Sequence, residues 1–81
     1  MALIMTQHAR RRIAERGIDV AWIERTVALP MRVGPCPNHP DRTRAWRRIP
    51  ERGNRVLRVV FVRAGADHRV ITATFDRGTK V

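Results

Sequence analysis

Arg55-Val-Leu-Arg-Val-Val-Phe-Val-Arg63 decides the fold of this chain. It carries four valines and a phenylalanine and neither Gly nor Pro, the composition of a central strand. Alternation puts Leu57, Val59 and Phe61 on one face and Val56, Arg58, Val60 and Val62 on the other. Downstream, Ala64-Gly-Ala-Asp67 reads as a turn into a strand over 68–75. There Ile71, Ala73 and Phe75 share a face opposite Val70, Thr72 and Thr74. Asp76-Arg-Gly-Thr79 then leaves the sheet. Upstream, Glu51-Arg-Gly-Asn54 is a turn, and the strand before it covers 44–49, ended by Pro50. The core face is the one with Leu57, Val59, Phe61, Ile71, Ala73 and Phe75.

Two helices should cover that face. Thr6 is a good N-cap for 7–16, and Gly17 supplies the left-handed position after it. Ala9 and Ile13 form its apolar stripe. Asp19 caps a second helix over 20–29, stopped by Pro30, with Val20, Ile23 and Val27 facing inward. Residues 31–42 hold Pro35, Pro37 and Pro40 and read as an irregular crossing loop. The expected fold is a single α+β domain over 1–81. Its helices pack on a three-stranded antiparallel sheet, with room for a fourth strand, in the order ααβββ.

The chain has 81 residues, with 17 Lys+Arg against 7 Asp+Glu, for a formal net charge of +10. That field suits a polyanion: nucleic acid, an acidic protein or anionic lipid. All the basic residues but Lys80 are Arg, which forms bidentate pairs with phosphate but also follows GC-rich coding. The single cysteine excludes an intramolecular disulfide framework and points to a reducing cytoplasm. No apolar run reaches a membrane span, and Met1–Met5 is too short for a signal segment.

His8, Arg12 and Arg16 stand at i, i+4 and i+8, one polar row beside the Ala9/Ile13 stripe. An imidazole in the first helical turn can serve as a general base, and that helix end can seat a phosphate. The plainer alternative is a solvated basic helix. A second cluster comprises Arg42, Arg44, Arg47, Arg48, Arg52, Arg55 and Arg58 with Trp46 among them. Cations interleaved with an aromatic can grip a backbone and stack a base. Arg58 stands out because it lies mid-strand, on the face shared with Thr72 and Thr74. An ordinary charged sheet face competes with that reading. Cys36 and His39 lack a second pair at zinc spacing, so neither a metal nor a cofactor is expected. Trp22, on the apolar half of its helix, is read as core.

The run His8-Ala-Arg-Arg-Arg12-Ile-Ala-Glu-Arg16-Gly-Ile18, with the strand Arg58–Val62 and then Val70-Ile-Thr72, resembles the bacterial "domain of unknown function 4258" family. The likeness spans about Thr6 to Phe75. That family is similar to RelE-like and BrnT-like toxins. The resemblance implies a RelE-like fold and metal-independent RNA cleavage held in check by an antitoxin. It places the family's polar residues on His8, Arg12, Arg16, Arg58 and Thr72, with Arg48 weaker. In the implied chemistry a ribose 2′-OH attacks the adjacent phosphate. His8 acts as base or acid, Arg12 and Arg58 neutralise developing charge, Arg16 orients, and Thr72 donates a hydrogen bond. Arg44, Trp46 and Arg48 would hold the RNA. The chain lacks Tyr, so only Trp46 could stack.

The rivals are a non-catalytic RNA-binding domain, such as a ribosome-associated one, and a protein whose basic face meets an acidic antitoxin or immunity protein. A helix-turn-helix fits less well, because helix 20–29 offers only Arg25 to DNA. Unpaired sheet edges leave a homodimer or hetero-complex open.

Overall fold

Pro37 and Asn38 turn the chain between two strands, where the sequence reads as irregular. The computed structural model describes residues 2–81. In order, the elements are β1 (Leu3–Met5), α1 (Gln7–Glu15), α2 (Val20–Ala28), β2 (Arg32–Cys36), β3 (His39–Ile49), a 3-10 turn (Pro50–Arg52), β4 (Arg55–Ala64) and β5 (Asp67–Asp76). The sheet is five-stranded and mixed, ordered β1-β5-β4-β3-β2, with β1 parallel to β5 and the other pairs antiparallel.

This overturns the expected ααβββ order and three-stranded antiparallel sheet. Leu3-Ile4-Met5 forms a strand before the helices, pairing with His68–Val70 far along the chain. Three residues followed by an N-cap leave no local signal of such a partner. β2 falls within the stretch expected to be loop, and β3 begins at His39 rather than near 44. Pro35 fits because β2 is an edge strand, where a missing N–H is tolerated.

The helices form where their caps place them. Thr6 Oγ accepts from the Ala9 N–H at 3.1 Å, and an Asp19 carboxylate oxygen accepts from the Ala21 N–H at 2.9 Å. Gly17 turns α1 off at φ 67°. Ile13, Ile18, Ile23 and Val27 bury against Ala45, Ile49, Leu57, Val59, Phe61, Val70 and Ala73. Val70 belongs to this core because β5 carries a bulge: Val60 pairs with Thr72, whereas Phe61 pairs with Val70. Ile71 is the extra residue, and beyond it the inward positions change parity. The expected core place of Ile71 therefore goes to Val70. Thr26, fully buried, is satisfied by donating to the Trp22 carbonyl at 2.8 Å.

The face away from the helices is closed as well. Trp46 is 3% exposed there, beside the buried Val56 and Val60. Its ring crosses Gly34, where a Cβ would meet the indole at 3.6 Å. Arg32 and Arg44 stack on it, their guanidinium carbons 5.0 and 4.9 Å from the ring centroid.

Candidate functional site

Asp76 ends β5 and gathers the residues that follow it. One of its carboxylate oxygens accepts from the Gly78 N–H at 2.9 Å. The other accepts from Trp46 Nε1 at 3.2 Å, the Thr79 hydroxyl at 2.9 Å and Arg58 Nη1 at 3.4 Å. The indole N–H is the largest influence holding this carboxyl below its ordinary range; Gly78, Thr79 and Arg58 add to it and burial opposes it. Arg77 is fixed next to this hub.

On the helix side of the sheet, Arg16, Arg52, Arg55, Thr74, Phe75 and Arg77 line an open cleft of about 310 Å³. It lies where β1 stops: β1 covers β5 only from His68 to Val70, so the following edge of β5 is unpaired. Arg16, the C-cap of α1, reaches that edge and donates to the Ala73 carbonyl at 2.8 Å and the Thr72 hydroxyl at 3.3 Å. Arg55 shares strand parity with Leu57 but sits beyond the end of the core, so its side chain covers the rim. Arg52 and Arg55 rest on Phe75 at 5.4 and 4.7 Å from the ring centroid. Trp22 backs the same ring, centroids 6.4 Å apart.

The charge in this cleft is unopposed. Glu51, next to Arg52 in the chain, is turned away and held by Arg25 in a bidentate pair at 2.7 and 3.0 Å. That pair lowers the Glu51 carboxyl to about 2. Among the described residues, none of Arg16, Arg52, Arg55 and Arg77 forms a salt bridge. Four guanidiniums without a carboxylate partner, around a hydroxyl and a ring edge, can take the oxygens of a phosphate.

Both shifted carboxylates make stability depend on acid. Their folded values lie below their unfolded ones, so their contribution is fully present above roughly pH 5. It is lost as the pH falls through the folded values. Urea midpoints are expected to be flat from pH 5 to 7 and to drop between pH 4 and 2. The drop should be shallower in an Asp76→Asn, Glu51→Gln variant.

The residues singled out in the sequence divide between the two faces. Arg16 and Thr72 meet directly. His8 and Arg12 are exposed on α1, and no side-chain hydrogen bond engages them among the described residues. Arg58 lies across the sheet from α1, ion-paired with Asp76. Arg48 Nη1 donates to the Val81 carbonyl, and Arg44 Nε donates to the Pro35 carbonyl at 2.8 Å. Trp46 is buried beneath Arg32 and Arg44, so a base reaching it must displace them.

Arg52 and Arg55 belong to the second basic cluster of the sequence, but there they were grouped with Trp46 and Arg58; the structure turns them to the other face, beside Phe75, which was read as core, and Arg77, which was not singled out. The parity of Arg55 with Leu57 is the signal that could have found them: an arginine on the core face at a strand's first residue must lie on its rim.

Among the described residues, no group of three or more His, Cys, Asp or Glu is placed to hold a metal ion. Nor is any helix there long and apolar enough to cross a membrane. No curated protein and no solved structure matches the chain. The chain belongs to the family described as "Domain of unknown function (DUF4258)", whose model matches residues 5–75.

Proposed function

Proceeding from that membership, which brings no activity with it, we propose that this domain binds single-stranded RNA through its phosphate backbone. The observation that carries the reading is the cleft of four arginines without a carboxylate partner. An open space of about 310 Å³ suits a phosphate with part of its nucleoside. The net charge of +10 adds long-range attraction and a strong salt dependence. Thr72 places its hydroxyl beside Arg16, within reach of a ribose.

Toxin-like cleavage is the catalytic form of this proposal. His8 precedes Arg16 by two turns of α1, about 12 Å of rise, so it can address a neighbouring nucleotide on a strand seated at Arg16. Wild type and His8→Ala are to be compared on an oligoribonucleotide in EDTA, for binding and for product ends. Binding is expected in both, to RNA ahead of the same-sequence DNA. Cleavage to a 2′,3′-cyclic phosphate, lost in His8→Ala, establishes the catalytic form. Salt-sensitive binding with no cleavage, also in the presence of translating ribosomes, leaves a binding domain. Equal indifference to RNA and DNA overturns the reading.

A further inference from the structure

The opposite edge of the sheet carries a second surface. β2 is the last strand on that side, and its outer backbone edge is unpaired. α2 packs over β3 and β4 and leaves β2 largely uncovered. Leu29, Met31 and Val33 are 64%, 42% and 57% exposed, at alternate positions leading into and along this edge. They are held firmly: Arg47 Nη1 donates to the Leu29 carbonyl and the Met31 N–H to the Trp46 carbonyl, both at 2.8 Å. Most edge strands carry charge or a bulge that discourages pairing. Here the one charge is Arg32 and the register shift comes only at Pro35/Cys36, so the edge from Met31 to Gly34 is regular.

The two faces of this edge differ. Val33 pairs with Ala45, on the helix side, while Arg32 pairs with Trp46, on the far side. Arg32 and Arg44 therefore project on the far side, and neither forms a salt bridge among the described residues. β2 and β3 together hold five arginines against one aspartate. A strand added here meets an apolar surface on one side and guanidiniums on the other.

We propose that the β2 edge from Met31 to Gly34 docks an extended segment of an acidic partner protein by strand addition. Alternation within the sheet fixes the pattern of that segment: apolar residues over Met31 and Val33, with Asp or Glu between them facing Arg32 and Arg44. A second copy of this chain is the wrong occupant, because it brings +10 to a basic edge. The surface is separate from the arginine cleft and does not depend on RNA binding.

The test is selection from a random peptide display library on the full chain, followed by titration of the synthesised consensus peptide. The expected consensus alternates apolar and acidic residues. Its affinity is expected to fall roughly tenfold with Val33→Ser, and by a similar factor with Arg32→Gln, in line with loss of one buried apolar side chain or one charge pair. Amide exchange along Arg32–Gly34 should slow when the peptide binds. Val33 is exposed, so Val33→Ser should keep the wild-type circular dichroism, and its RNA affinity should not change. No enrichment, a consensus without acidic residues, or indifference to Val33→Ser overturns the proposal. A concentration-dependent dimer abolished by Val33→Ser also overturns it, in favour of a second copy.

Discussion

Replacing Arg52 and Arg55 together by Gln is expected to weaken RNA binding by roughly a hundredfold, about tenfold for each lost charge-assisted contact. The same variant should flatten the slope of log affinity against log salt by about 1.4, since each phosphate neutralised on a single strand contributes about 0.7. The fold does not depend on the charge of these two residues. Both lie over Phe75, where an exposed cation–π contact is worth about 0.5–1 kcal/mol. Trp22 still packs against the ring. Gln keeps part of the aliphatic stem, so thermal stability should fall only slightly. Arg25→Gln is the informative control. It removes a positive charge, but one already spent on Glu51, and it frees that carboxylate near Arg52. Fluorescence anisotropy at several salt concentrations measures all three proteins. A double variant that loses affinity without any change in salt slope would mean that Arg52 and Arg55 shape the site but do not touch phosphate.

Trp46→Ala is expected to cost about 3–5 kcal/mol, the range for a large buried aromatic. A domain of this length has roughly 4–12 kcal/mol in total, so the variant should be close to unfolding at 37 °C. Three losses combine. Among the described residues, the far face loses its largest buried apolar side chain, packed on Gly34. Arg32 and Arg44 lose the ring they stack on. Asp76 loses its indole donor, and with it part of the hold on Gly78 and Thr79. Trp46→Phe separates these effects: it keeps most of the packing and removes the N–H, for about 1–3 kcal/mol. Because Asp76 precedes Arg77, Trp46→Phe should also loosen one wall of the cleft and lower RNA affinity a few-fold. Urea unfolding followed by circular dichroism gives the stability values, and anisotropy gives the affinity.

The sequence was most legible where local chemistry decides the backbone. Thr6 and Asp19 cap their helices with their own side chains, Gly17 takes the left-handed position, and the β-branched run of β4 lies in the interior of the sheet. What failed was long-range or two-sided. β1 is too short to show a pattern, and its partner lies more than sixty residues away. β2 was hidden by prolines that exclude a central strand but not an edge. The Ile71 bulge moves Val70 inward, and strict alternation cannot anticipate an inserted residue. The site shows the same division. The polar row on α1 was readable, and Arg16 and Thr72 do meet. Trp46 looked like a base stacker among arginines, and only the burial of the far face shows that the arginines cover it. Arg52, Arg55 and Arg77 come together through a turn, a strand start and a strand end, which no local window contains.

RNA phosphate is expected to sit among Arg16, Arg52, Arg55 and Arg77. The most direct measurement is NMR observation of every arginine Nε–H while an eight-nucleotide single strand is added. These four signals are expected to shift and saturate together. Arg25, held by Glu51, and Arg58, held by Asp76, should stay where they are. Shifts confined to Arg32, Arg44 and Arg48 on the far face, with the four cleft arginines unmoved, would contradict it.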